Sequence, residues 1–126
     1  MAREALTILL VEDDELLMMS FSDMLRDMGH EVFEAPTAAQ ALTMLMGNSD
    51  IDVLITDIQM PDMNGQELVR RMRQIRADLP VIYSSGHRRD VVDDLDADAC
   101  ARFLEKPFGP NEVVAVFRSL SVDEAA

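Results

Sequence analysis

The chain has 126 residues, 48% of them hydrophobic and 28% charged, which suits one folded domain with a single core. Twenty-four acids against eleven bases leave a formal charge of −13, which repels phosphate backbones and anionic lipid and argues against direct nucleic-acid or membrane binding. Cys100 is the only cysteine, no apolar run reaches the roughly 18 residues of a membrane span, and "MAREALTILLVEDD" lacks a signal-peptide layout, so a reducing, cytoplasmic setting is expected.

Short apolar strands alternate with helical patterns along the whole chain. "TILLV" (7–11) reads as the first strand. Over 14–28, Leu17, Phe21, Met24 and Met28 recur at helical spacing, with Leu25 widening the stripe and Gly29 as the stop. "EVFEA" (31–35) alternates and suits an edge strand. "TAAQALTMLM" (37–46) predicts a helix with Thr37 as its cap and Gly47 as its stop. Then follow a strand over 51–56, a helix over about 65–76, a strand over 80–84, an acid-rich helical segment over about 88–98 and a strand over 101–105. A last helix runs over about 110–120, with Pro110 in its first turn. Asp90, Asp93, Asp94, Asp96 and Asp98 are poor helix formers, so the 88–98 segment is expected to be irregular or mobile. Five strand-then-helix units predict a parallel sheet covered on both faces. About six residues follow the last helix, so one domain with no output domain is expected.

Ligands of an open parallel sheet bind outside the carboxyl ends of its strands. Glu12, Asp13 and Asp14 follow the first strand, Asp57 the third, Ser84, Ser85, Gly86 and His87 the fourth, and Lys106 the fifth. Three carboxylates at one edge suit a hard cation such as Mg²⁺, which takes oxygen ligands and shares its coordination with phosphate. His30, His87 and Cys100 are scattered and form no zinc pattern. Lys106 and Ser85 could hold the oxygens of a transferred phosphoryl group, and a carboxylate can itself accept one. Most of the ten methionines are expected to fill the core, the two histidines to lie in exposed loops, and Cys100 to be a small buried hydrophobe.

"ILLVEDDE", "LITDIQMPDMNG", "VIYSSG" and "FLEKPF", in this order and spacing, resemble the receiver domain of bacterial two-component response regulators over essentially the whole chain, with a core of about 6–120. The resemblance implies a flavodoxin-like (βα)5 fold, a doubly wound parallel sheet of strand order 2-1-3-4-5. It also implies Asp57 as phosphoacceptor, Asp13 as direct metal ligand, Glu12 as a ligand through water and Gln59 as a ligand through its backbone carbonyl. Ser85 matches the switch hydroxyl, Lys106 the lysine of the site and Phe103 the aromatic switch. The implied cofactor is Mg²⁺, with Mn²⁺ as a substitute. The implied partners are a histidine kinase or histidine phosphotransfer protein and a downstream protein target, for a monomer or weak dimer.

A stand-alone phosphoacceptor is the leading expectation. The alternatives are the excised receiver of a hybrid histidine kinase and a non-phosphorylated pseudo-receiver adaptor. An aspartyl-nucleophile phosphatase needs a second acid two residues after the nucleophile, where Gln59 stands. On the first helix, Met18, flanked by Asp14, Glu15 and Ser22, is expected to project from the surface into the kinase's helical bundle.

Overall fold

Five short runs of aliphatic and β-branched residues pair into one parallel sheet: β1 (Thr7–Val11), β2 (Glu31–Ala35), β3 (Val53–Asp57), β4 (Val81–Ser85) and β5 (Ala101–Glu105). Their order is β2-β1-β3-β4-β5, the order that the family resemblance implies. The structure is a computed structural model and describes residues 5–86 and 98–120. Among these residues the helices are α1 (Glu15–Asp27), α2 (Ala38–Gly47), α3 (Gly65–Ile75) and α4 (Pro110–Leu120). The helical segment expected over 88–98 lies outside the described residues except for its last position.

The sheet has a core on each face. Against α2 and α3 it presents Leu9, Val11, Leu54 and Val81, which meet Ala41, Leu45, Leu68 and Met72. Against α1 and α4 it presents Ile8, Leu10, Ile55 and Ile82, which meet Phe21, Leu25, Val113 and Phe117. Each strand supplies alternate residues to the two faces, as the pleat requires. β1 and β3, buried on both faces, therefore read as continuous apolar runs.

Local chemistry sets the helix ends. Asp14 caps α1, Thr37 caps α2 and Asn64 caps α3, each with a side-chain oxygen accepting first-turn N–H groups. At the far end of α1 the chain turns at Gly29, whose φ of 99° suits glycine. There Gly29 N–H donates to Arg26 O at 2.9 Å and His30 N–H to Leu25 O at 3.1 Å, closing a Schellman turn. Gly47 belongs to the last turn of α2 instead of stopping it, and Asn48 follows as the C-cap, its side chain donating to Met44 O at 2.9 Å.

The buried stripe of α1 is rotated from the expected one by part of a turn, with Phe21 and Leu25 common to both. Met18, Phe21, Ser22 and Leu25 face the sheet, and Leu17, Met24 and Met28 flank them half-buried. Ser22 is fully buried, and its small size lets the helix lie close to the strands. His30 is no exposed loop residue: its Nδ1 accepts the Leu6 N–H and its ring packs on Phe117. Cys100 is half-buried.

Candidate functional site

The strand order reverses between β1 and β3, since β1 lies between β2 and β3, and the carboxyl ends of this pair hold the acids. Glu12 follows β1 directly and is buried, at 3% exposure. Its N–H donates to Ala35 O at 3.2 Å, and its Oε2 accepts the Asp14 N–H at 3.2 Å. Asp57 is the last residue of β3 and half-buried, while Asp13 is exposed. One oxygen from each of Glu12, Asp13 and Asp57 lies within 4.8 Å of the others. Asp14 is not part of this cluster, because its Oδ1 accepts the Leu16 and Leu17 N–H groups at 2.9 and 3.1 Å.

Lys106 enters from the end of β5, one residue beyond the strand, and the peptide bond to Pro107 is cis. Its ammonium forms a close ion pair with Glu12 Oε1 and lies 3.5 Å from Asp57 Oδ2. Burial raises the Glu12 carboxyl above its ordinary range, against the pull of Lys106 and the Asp14 N–H, and Asp57 adds to the rise. Burial likewise raises Asp57, with Lys106 opposing, the Asp13 charge reinforcing and the Gln59 N–H opposing again. One ammonium therefore serves two carboxylates that would gain from a further cation. Oxygen donors alone, an excess of negative charge and an open cleft of about 590 Å³ fit a hard divalent ion such as Mg²⁺.

The loop from β3 to α3 folds back on the site. Gly65 N–H donates to Ile58 O at 2.6 Å, and Gln59 bridges to Asn64. A Cβ on Gly65 would stand 2.4 Å from the Asp57 carbonyl oxygen, so only glycine admits this approach. At the loop's tip, Asp62 reaches the start of α2, where its Oδ1 and Oδ2 accept the Ala38 and Ala39 N–H groups at 3.2 and 3.1 Å. Asp62 escaped the sequence reading because its partners lie 24 and 23 residues earlier. An acid after a proline was the only available signal.

The cleft is lined by Glu12, Asp13, Asp14, Leu17, Asp57, Gln59, Gly86, Lys106 and Pro107. Ser85 ends β4 beside it, buried at 4% exposure, and its carbonyl accepts the Lys106 N–H at 2.7 Å. Phe103 pairs in register with Tyr83 on β4, half-buried against the core on the α2–α3 side. The expected docking group divides. Asp14 and Glu15 are exposed, but Met18, at 8% exposure, packs in the core on the α1 side, and Ser22 is fully buried. Met18 is thus a core residue and not a surface contact, because the sheet-facing stripe of α1 runs through it. The large apolar side chains that α1 exposes are Leu16 and Met19.

Residues 8–118 match the family described as the response regulator receiver domain. The sensor kinase CckA of Brucella abortus is 32% identical over 116 residues, covering 90% of this chain but only 12% of that protein. A chemotaxis protein CheY homologue of Campylobacter jejuni is 35% identical over 108 residues, 82% of each chain. Among solved structures, a response regulator receiver protein from Sinorhizobium medicae superposes with a TM-score of 0.77 at 32% identity, covering 96% of this chain and 98% of that one. Strand order, the acids at the β1 and β3 ends and these matches agree, and the chain belongs to the family of response regulator receiver domains.

Proposed function

We propose that Asp57 accepts a phosphoryl group from the phosphohistidine of a histidine kinase or histidine phosphotransfer protein, and that the protein signals by the change of surface that follows. The observation that carries this reading is the convergence of Glu12, Asp13, Asp57 and Lys106 at one open cleft. Asp13 and Asp57 would hold Mg²⁺ directly, with Mn²⁺ as a substitute, Glu12 through water and Gln59 through its backbone carbonyl. The ion supplies neutralisation of charge on the transferring phosphoryl oxygens. Asp57 at a strand end offers a rigidly aimed carboxylate oxygen. The new P–O bond forms there as the donor's P–N bond breaks, and the electron pair stays on the imidazole nitrogen. Lys106, already within 3.5 Å of Asp57, meets the charge that develops on the phosphoryl group. Ser85 supplies a hydroxyl to the phosphorylated state, and Phe103 on the adjacent strand follows the movement of the Ser85 loop.

With Mg²⁺ and a small acyl phosphate, the wild-type chain is expected to gain one acid-labile phosphoryl group, and Asp57→Asn to gain none. Mass spectrometry of the labelled peptide checks the position. Labelling that persists in Asp57→Asn would move the acceptor elsewhere, and a wild type that never labels would make the chain a pseudo-receiver. Two settings share this chemistry. Coverage of 82% of the CheY homologue favours a stand-alone regulator, whereas the match to 12% of CckA favours a receiver module within a larger kinase. The mass of the native protein on an immunoblot separates them.

A further inference from the structure

The first turn of α2 has its free N–H groups satisfied from two sides. Thr37 Oγ1 accepts the Gln40 N–H at 3.1 Å, which leaves the Ala38 and Ala39 N–H groups without an intrahelical acceptor. Asp62 supplies both, one carboxylate oxygen to each. Slight burial raises the Asp62 carboxyl, but the N–H groups of Ala39, Ala38 and its own loop outweigh this and hold it below the ordinary range.

This contact closes a ring around the cleft. Glu12 is tied by its N–H to Ala35 O at the end of β2, and three residues later α2 begins. Asp62 then ties the start of α2 to the loop that carries Gln59 and returns to Asp57 through the Gly65–Ile58 bond and the Gln59–Asn64 bridge. Direct pairing of β1 with β3, Val11 beside Thr56, sets the spacing of Glu12 and Asp57, and the Asp62 contact adds a restraint on the loop beyond Asp57 that carries Gln59. Met60 and Met63 of the same loop pack against the core that Ala38, Ala41 and Leu45 of α2 help to form, and Asp62 adds the directional hydrogen bonds.

We infer that Asp62 is a positioning residue, one that holds the β3–α3 loop against α2 and so fixes the Gln59 carbonyl at the width that the bound cation requires. This inference rests on the metal role proposed above for Glu12, Asp13, Asp57 and Gln59. Asp62 touches neither the cation nor the phosphoryl group and acts through the loop.

The test compares three variants of the full chain, with Mg²⁺ alone as the probe and NMR titration as the readout. Asp62→Ala is expected to raise the Mg²⁺ dissociation constant several-fold, because the loop that carries Gln59 then loses its hydrogen bonds to α2. Asp62→Asn, which keeps one acceptor oxygen, should fall between Asp62→Ala and wild type. Thr37→Ala uncaps the same helix without touching the loop and should leave the Mg²⁺ affinity close to wild type. In the metal-free protein, Asp62→Ala should also speed amide exchange at Ala38, Ala39 and Gly65 together. Wild-type affinity in Asp62→Ala would overturn the inference, as would an equal loss in Thr37→Ala. A wild type that binds no Mg²⁺ would overturn the metal site itself, and the inference with it, an outcome recognisable before any variant is made.

Discussion

The His30 ring accepts the Leu6 N–H through Nδ1 at 3.0 Å and stands edge-on to Phe117, with ring centroids 5.4 Å apart. A protonated ring would turn Nδ1 into a donor facing a donor. Burial also disfavours the charged form and lowers the pKa from its ordinary 6.5. The sign of the linkage follows. Well above pH 6.5 the ring is neutral in both states and leaves stability unaffected by pH. As the pH falls below that value, the unfolded chain takes up the proton and the folded one resists, so stability is lost until the folded ring protonates too. His30→Asn keeps an acceptor oxygen but cannot titrate. Urea unfolding between about pH 7.5 and 5.5 should therefore show wild type losing stability relative to this variant as the pH falls. A difference independent of pH would show that the ring protonates as easily in the fold as outside it.

At the scale of the element, α1 shows how a helix divides neighbouring methionines between two environments. Met18 is buried at 8% exposure and Met19 is exposed at 60%, one residue apart and about 100° round the axis. Met18→Lys puts an ammonium into the core that the sheet, α1 and α4 build together, at an expected cost of at least about 2 kcal/mol. Met19→Lys should change stability by no more than about 0.5 kcal/mol. Thermal denaturation of the two variants checks the phase of the helix. Equal effects would mean that α1 is rotated from the orientation described. The same rotation decides what a partner can touch, since Leu16 and Met19, not Met18, carry the exposed apolar surface of α1.

For the whole molecule, the acid cluster sits on a chain that already carries a formal charge of −13. Glu12 and Asp57 both have raised pKa values, chiefly from burial, so the metal-free site holds charges that the fold disfavours. A cation that binds only the folded arrangement stabilises it by mass action, about 2.7 kcal/mol at a hundredfold excess over its dissociation constant. The melting temperature should therefore rise with Mg²⁺ and not with an equal ionic strength of NaCl. Asp13→Ala should abolish that response. It should also stabilise the metal-free protein slightly, because the Asp13 charge works against an ionised Asp57. Calorimetric scans with and without Mg²⁺ decide this, and an unchanged wild-type melting temperature in millimolar Mg²⁺ would count against the site.

Much of the architecture is local in origin and was legible in the sequence. The apolar runs, the cap Thr37, Pro110 in a first helical turn and the turn at Gly29 mark elements that the fold reproduces to within two residues. Acids and a lysine just past strand ends were visible as a group because a parallel sheet brings its carboxyl ends to one edge. Three matters depended on partners distant in the chain. The phase of α1 is one, since a serine at the centre of its buried face reads as polar until the sheet is seen to approach it. His30 is another, because its acceptor role is set by Leu6, 24 residues away. Asp62 is the third. Periodicity and turn chemistry record interactions within a few residues, whereas its carboxylate meets α2 only after the sheet has placed β2 and β3 on either side of β1.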